Sequence, residues 1–142
     1  MIVIDASVWV VIALPDDGLH VQSRQWVEQW ERTGRPIAVP AIFPVEVGAA
    51  LIRRVRKEED AYEVVDDLLN DPLLTLLPID REMCNRATRL AMDLRLRGAD
   101  AIYVALAESL EVPLVTWDDQ QRLRASERVA TATPAQELER LA

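Results

Sequence analysis

Short apolar runs that alternate with longer amphipathic segments constrain the fold of this chain more than any other feature of its sequence. The runs "IVI" at 2–4, "IAVP" at 37–40, "TLLPI" at 75–79 and "PLVTW" at 113–117 have the length and composition of buried strands. Helix-length segments separate them, and a last short strand and helix finish the chain. Strands that alternate with helices predict a mostly parallel sheet covered by helices on both faces.

The segments between the strands carry helical periodicity. A first helix is expected from Ser7 to Leu14, where Pro15 begins a turn, and another from Phe43 to Arg56. Further helices are expected in five segments: "HVQSRQWVEQWERTG", "DAYEVVDDLLN", "REMCNRATRLAMDLRLRG", "DAIYVALAESLE" and "DDQQRLR". In the first of them, Val21, Trp26, Val27 and Trp30 are expected on the buried side. In the third, Cys84 is expected to be a packed thiol. The segment "DAIYVALAESLE" is apolar around almost its whole circumference, which predicts a buried helix.

Length and composition indicate one ordinary globular domain spanning residues 1–142. Hydrophobic residues make up 50% of the chain and charged residues 28%. The apolar start is shorter than the about 20 residues that span a bilayer, and it has neither the basic start nor the cleavage site of a secretory signal. The single cysteine excludes an internal disulfide. We therefore expect a cytoplasmic protein with no membrane partner.

The charge of the chain restricts how it can meet nucleic acid. A net charge of -8 argues against nonspecific binding through a uniformly basic surface. Positive charge is nevertheless concentrated in "IRRVRK" and in a second stretch that ends with Arg95 and Arg97. Either run alone is typical of a solvated helix face, but either is also compatible with a local basic stripe.

Four separate segments each deliver one acid toward the same edge of the predicted sheet. Asp5 ends the first strand, Glu46 lies in the first turn of the helix after "IAVP", Asp100 begins the buried helix and Asp118 follows "LVTW". Ligands of such sheets bind beyond the carboxyl ends of the strands. Each acid also has an ordinary structural role: Asp5, Asp100 and Asp118 could cap helices, and Glu46 could be a first-turn acid.

Their joint placement favours a metal site. Two carboxylates about 4 Å apart repel by roughly 4 kcal/mol at an effective dielectric near 20, so a cluster of them needs a cation. All-oxygen ligation suits Mg²⁺ or Mn²⁺. Zinc is disfavoured because the chain has one histidine and one cysteine, which leaves no usual nitrogen and sulfur ligand set. His20 lies far in sequence from the acids, which favours a surface position over a role as general base. Because it is the only histidine, a ribonuclease mechanism based on two histidines is excluded.

These blocks resemble the PIN-domain ribonucleases, especially the VapC toxins of VapBC toxin and antitoxin pairs. "IVIDASVWV" is similar to the opening strand of that family with its Asp and Ser, and "VPAIFPVEVGAALIRRVR" to the helix that carries the next acid. "GADAIYVALAESLEVPLVTWDD" is similar to the third block with its Thr-x-Asp. The order and spacing of these blocks, which cover essentially the whole chain, make the resemblance specific.

The resemblance implies a PIN-like three-layer α/β/α sandwich with a central, mostly parallel sheet. It implies a metal-dependent endoribonuclease, using Mg²⁺ or Mn²⁺, that is the toxin of a toxin-antitoxin system. It further implies an RNA substrate, a VapB-like antitoxin and a homodimer. The acidic positions that would be catalytic and bind metal are Asp5, Glu46, Asp100 and Asp118, with Ser7 and Thr116 as supporting hydroxyls.

Other assignments remain open at this point. Arg53, Arg54 and Lys57 are candidates for binding the RNA backbone or for a solvated face, with Arg86, Arg89 and Arg97 as the alternative path. Asp119 could exchange roles with Asp118, and Trp117 could pack under the sheet edge or stack on a base.

Two other functions compete with the nuclease. A catalytically silent PIN-like scaffold that binds RNA or protein is the main alternative, and the presence of all four acids disfavours it. An aspartyl-phosphate phosphatase or receiver domain is disfavoured because Lys57 is the only lysine and Ser7 stands where a phosphatase would carry a second Asp.

Overall fold

A five-stranded sheet forms the centre of the computed structural model, which describes all 142 residues. The strands are β1 (Ile2–Ile4), β2 (Ile37–Pro40), β3 (Leu74–Leu77), β4 (Leu114–Val115) and β5 (Thr131–Ala132). They lie in the order β3-β2-β1-β4-β5, and every neighbouring pair is parallel. The predicted sheet of mostly parallel strands is confirmed, and none of its strands is antiparallel.

Eight helices connect and flank these strands. They are α1 (Ala6–Ile12), α2 (His20–Glu31), α3 (Phe43–Leu51), α4 (Glu58–Leu69), α5 (Arg81–Leu94), α6 (Gly98–Leu110), α7 (Asp119–Ala125) and α8 (Pro134–Leu141). None of them is both long enough and apolar enough to cross a membrane.

The central position of β1 explains why its sequence is uninterrupted and apolar. Ile2, Val3 and Ile4 are all fully buried, as expected for a strand with neighbours on both sides and helices on both faces. Val3 pairs with Leu114 of β4, and Ile2 pairs with Ile37 of β2. This register brings Asp5, the next residue after β1, beside the end of β4.

The predicted buried helix is confirmed as α6. Its residues Ala101, Tyr103, Val104 and Ala105 are completely buried and belong to the main core. Trp26 and Trp30 of α2 are also in this core, as predicted from their helical spacing. A buried α6 fixes the position of Asp100 in its first turn.

Several local expectations are wrong. Helix α1 stops at Ile12, and α3 stops at Leu51 instead of continuing to Arg56, so the basic run lies in a turn between α3 and α4. Cys84 is exposed and not packed, and Val21 is exposed on α2. Helical periodicity marks which residues share a face, but a helix end depends on where the chain must turn toward the next element.

Candidate active site

Asp5 is a buried carboxylate that has the capping role expected of it. It is the N-cap of α1, where its side chain accepts a hydrogen bond of 3.1 Å from the backbone N–H of Ser7. Its Oδ2 atom also accepts a bond of 3.3 Å from the Thr116 hydroxyl. Burial raises the pKa of Asp5 above its ordinary value, although these hydrogen bonds act in the opposite direction. The cap therefore holds a carboxylate that is costly to ionise.

Ser7 and Thr116 form a small network under Asp5. Their hydroxyl oxygens are 3.5 Å apart, and the Ser7 oxygen accepts a bond of 3.2 Å from the backbone N–H of Trp117. The Thr116 oxygen accepts a bond of 3.0 Å from the backbone N–H of Asp118. The two hydroxyls thus connect the end of β1 to the segment after β4, which fits the supporting role that the resemblance implies.

Glu46 lies in the first turn of α3, as predicted, and is held by a residue of α6. The buried Tyr103 hydroxyl donates a hydrogen bond of 2.6 Å to Oε1 of Glu46. Burial raises the pKa of Glu46, and the negative charges of Asp5 and Asp100 raise it further, against the lowering effect of the Tyr103 bond. Glu46 therefore feels the charges of two other acids of the set.

Asp100 and Asp118 are joined by one arginine. Arg97 donates from Nε to Oδ2 of Asp100 at 2.9 Å and from Nη2 to Oδ2 of Asp118 at 2.7 Å. Burial raises the pKa of Asp100 despite this partner, and the neighbouring charges of Asp5 and Asp118 act in the same direction. The hydrogen bond and charge of Asp100 raise the pKa of Arg97, so the guanidinium stays charged.

Asp118 caps α7 by accepting a bond of 3.0 Å from the backbone N–H of Gln121. Its neighbour Asp119 is 78% exposed and pairs with Arg122 at 2.9 Å. Asp119 is not among the residues that line the cleft with the other acids. The geometry therefore favours Asp118 over Asp119 as the fourth member of the set.

The four acids line one open cleft of about 390 Å³. Its other walls include Ser7, Arg53, Arg54, Arg97 and Trp117. The oxygen donors suit a hard divalent cation in their chemistry. No three acidic, histidine or cysteine side chains are arranged closely enough to hold a metal ion, however. The donor set fits Mg²⁺ or Mn²⁺, and ligation by three of these acids requires their side chains to draw closer together.

Trp117 packs at the wall of the cleft. It lies against the main core, and its indole N–H donates a bond of 2.8 Å to the Ser23 hydroxyl on α2. This is the packing role that the sequence analysis weighed against base stacking. A ring fixed by such a bond is a rigid part of the wall.

The predicted RNA-binding residues all lie between α3 and α4, but only two of the three line the cleft. Arg53 and Arg54 line the cleft and are exposed, whereas Lys57 does not line it and stands at the start of α4. Arg54 pairs with Asp17 at 2.7 Å, which places its charge at the rim. Of the alternative path, Arg86 pairs with Glu108 at 2.9 Å and lines a different pocket together with Arg89.

Arg97 and Tyr103 are the site residues that the sequence analysis did not assign to the acids. Each is three positions from Asp100 along the chain, and residues three apart share one side of a helix. That spacing was the available signal for both. In the sequence pattern, Tyr103 is one of several apolar residues of a buried helix, and Arg97 is one of several charges in a basic stretch.

The sequence matches the PIN domain family over residues 2–127. The chain belongs to the PIN-domain family. This PIN domain is 36% identical over 124 residues to Ribonuclease VapC12 of Mycobacterium tuberculosis, and the match covers 83% of this chain and 87% of that protein. The resemblance to VapC-type PIN domains that the motifs indicated is confirmed.

Solved structures support the same PIN fold. Mycobacterium tuberculosis VapC20, described as a Sarcin-Ricin loop cleaving toxin, superposes with a TM-score of 0.71 at 14% identity, over 84% of this chain and 92% of that one. VapBC2 from Rickettsia felis, solved bound to a DNA fragment from the promoter, gives a TM-score of 0.67 at 13% identity, over 94% and 98% of the two chains. At these identities the structures establish the fold of the PIN domain.

Proposed function

We propose that this chain is a metal-dependent endoribonuclease and the toxin of a toxin-antitoxin pair. The observation that carries the proposal is the convergence of four carboxylates, from four separate segments of a PIN domain, around one cleft. The identity to a protein named a ribonuclease supports RNA as the substrate. The oxygen-rich, histidine-free lining supports Mg²⁺ or Mn²⁺ as the cofactor.

In this proposal Asp5, Glu46, Asp100 and Asp118 hold the metal, and Ser7 and Thr116 hold Asp5 in place. The bound ion supplies charge neutralisation at the scissile phosphate and a hydroxide from water. The protein itself supplies orientation: Asp5 is fixed by a backbone N–H and a hydroxyl, and Glu46 by the Tyr103 hydroxyl. These contacts orient Asp5 and Glu46, whereas ligation by three acids of the set still requires side chains to draw closer together.

Arg53 and Arg54 are proposed to bind the RNA backbone beside the cleft. Both are exposed and line it, so phosphates that flank the scissile bond would lie within reach of their side chains. Lys57 lies outside the lining, and its contribution is proposed to be small. Local positive charge of this kind compensates for a net charge of -8, which otherwise repels RNA.

A VapB-like antitoxin is the proposed protein partner. Support comes from VapBC2 of Rickettsia felis, one chain of which has the same fold as this protein. An acidic cleft is electrostatically complementary to a basic side chain of such a partner. We further propose that residues 1–142 form one PIN domain. The proposed oligomeric state is a homodimer, and the proposed location is the cytoplasm.

The test is cleavage of labelled RNA by purified protein with Mg²⁺, with Mn²⁺ and with EDTA. We expect cutting with either metal, none in EDTA, and none with Asp5→Asn. Asp119→Asn is the matched control: it removes the same charge one residue from Asp118 but outside the cleft, so it should cut like the wild type. Full cutting in EDTA by metal-stripped protein contradicts the metal dependence, and RNA binding without cutting favours the scaffold.

The toxin assignment is tested separately from the nuclease. Induction of the chain should arrest growth of the host, and co-expression of the small protein encoded beside it should restore growth and co-purify with it. A neighbouring protein that does neither removes the toxin assignment and leaves the nuclease in place.

A further inference from the structure

Arg97 contacts two of the four acids that line the cleft, Asp100 and Asp118. Through two different nitrogen atoms, it binds Oδ2 of Asp100 and Oδ2 of Asp118 at 2.9 and 2.7 Å. No other basic side chain forms an ion pair with any of the four acids. Asp5 and Glu46 are held by neutral donors instead. A cation of the chain itself therefore offsets one of the two negative charges in this half of the cleft.

The backbone of Arg97 is fixed at the start of α6, whereas its side chain is largely exposed to solvent. Arg97 is the N-cap of α6, and its carbonyl accepts the backbone N–H of Ala101 at 3.0 Å. Its side chain is 73% exposed, against 15% for Asp100 and 28% for Asp118. A long, solvated side chain that contacts two sheltered carboxylates can exchange them for water at small cost. The carboxylates themselves stay in the cleft.

The two carboxylate oxygens that accept from Arg97 are also candidate ligands of the metal. An oxygen that faces a guanidinium at hydrogen-bond distance cannot turn the same lone pair toward a divalent ion, and the two positive charges repel each other. A divalent ion that uses these Oδ2 atoms of Asp100 and Asp118 therefore competes with Arg97 for them. The absence of any three closely arranged acidic ligands is consistent with a cleft held in this way.

We propose that Arg97 is an intramolecular counter-ion that competes with the divalent ion for Asp100 and Asp118 and so sets the metal affinity of the cleft. The inference rests on the proposed metal dependence but assigns a separate property to one residue. In this account Arg97 is a positioning residue: it holds the two acids and offsets one of their two negative charges until the ion replaces it. Its removal should tighten metal binding and destabilise the metal-free protein.

The experiment is calorimetric titration of metal-stripped protein with Mn²⁺ in the absence of RNA, with melting in EDTA as a second readout. Arg97→Gln should bind Mn²⁺ tighter by on the order of tenfold, since a positive charge beside the ion has been removed. It should also melt lower than the wild type in EDTA. Arg97→Lys keeps the charge but loses the fork that spans both acids, so its affinity should lie between the two.

Arg122→Gln is the matched control, because Arg122 forms the same type of pair with Asp119, three residues apart, on the next helix. It removes one positive charge near the site without freeing an acid of the cleft, and its Mn²⁺ affinity should change much less. Equal affinity of Arg97→Gln and wild type, weaker binding by Arg97→Gln, or an equal gain in Arg122→Gln each overturns the inference alone. If neither the wild type nor Arg97→Gln binds Mn²⁺, the inference and the proposed metal dependence both fail.

Discussion

The Tyr103 hydroxyl lies 2.6 Å from Oε1 of Glu46, although the two residues are 57 positions apart in the sequence. Tyr103 is completely buried in α6, and Glu46 is in the first turn of α3. Burial and the neighbouring Glu46 carboxylate raise the pKa of Tyr103, so its hydroxyl remains a donor at any physiological pH. The bond thus orients one acid of the cleft from inside the core.

Tyr103→Phe should lower both the stability of the protein and the metal affinity of the site. A hydrogen bond to a charged group contributes about 1.5–3 kcal/mol to stability, so the free energy of unfolding should fall by about that amount or less, because Glu46 is only partly buried. Loss of a residue that orients a metal ligand typically costs 10–100-fold in metal affinity or activity, and we expect about tenfold here. Urea unfolding and Mn²⁺ titration measure the two effects. Tyr62→Phe is the control, since Tyr62 is 67% exposed; equal losses in both variants would contradict the role of Tyr103.

Substitutions of Asp5 can separate its capping role from its proposed role as a metal ligand. Asn is as good an N-cap as Asp, so Asp5→Asn should keep the stability of metal-free protein, or raise it by removing a buried charge, while it abolishes most cleavage. Asp5→Ala should lose cleavage and also about 1 kcal/mol of stability with the cap. Chemical denaturation in EDTA and an RNA cleavage assay distinguish the two. Normal cleavage by folded Asp5→Asn would leave Asp5 with the cap alone.

Stability of the metal-free protein should depend on pH through the buried acids. Burial raises the pKa of Asp5 from its ordinary value of 3.8, so between these two pKa values the folded state binds more protons than the unfolded state. Stability therefore rises as pH falls from neutral through the raised pKa, and this gain is complete below the ordinary value. Glu46 and Asp100 act in the same direction.

The measurement is the urea midpoint in EDTA from neutral to mildly acidic pH, for the wild type and Asp5→Asn. The variant lacks the Asp5 contribution, so its gain on acidification should be smaller than that of the wild type. Asp17, whose pKa is lowered by the Leu19 N–H and by Arg54, opposes the trend equally in both proteins. Parallel curves would show that Asp5 does not titrate as its burial implies.

The turn after α3 should contribute to RNA binding and not to metal binding. In an Asp5→Asn background, where RNA stays intact, Arg53→Gln with Arg54→Gln should weaken RNA binding and reduce the salt slope by about 0.7 units per lost contact. Filter binding at several salt concentrations measures the slope. The control is Arg56→Gln with Lys57→Gln, which removes the same two charges outside the cleft lining. If the double variant and the control behave alike, the run is a solvated surface.

The convergence of the acids could be predicted from the sequence because parallel strands end at one edge. Asp5 directly follows β1, Asp118 lies three residues beyond β4, and Asp100 and Glu46 lie in the first turns of α6 and α3, so the topology brings them to one edge of the sheet. The capping roles of Asp5 and Asp118 were also predictable, since Asp after a strand and before a helix is a common N-cap. The same expectation is wrong for Asp100, because the N-cap of α6 is Arg97. Asp5 and Asp118 cap α1 and α7 and also line the cleft.

The interactions between side chains could not be predicted in the same way. The end of α3 at Leu51 depends on the turn into α4, and this turn separates Lys57 from Arg53 and Arg54. The Arg97 bridge requires the positions of Asp100 and Asp118 relative to each other, which depend on packing between α6 and the segment after β4. Periodicity carries no information about such distances.

The central place of β1 in the sheet has a consequence for synthesis of the chain. Asp5 receives its hydroxyl donor from Thr116, 111 residues later, and β1 pairs with β4, which comes late in translation. A nascent chain emerging from the ribosome therefore carries its first acid long before it can assemble the cleft. The cleft is complete only after the segment that follows β4 has joined the sheet, so a product truncated before Thr116 lacks both the hydroxyl donor to Asp5 and the fourth acid, Asp118.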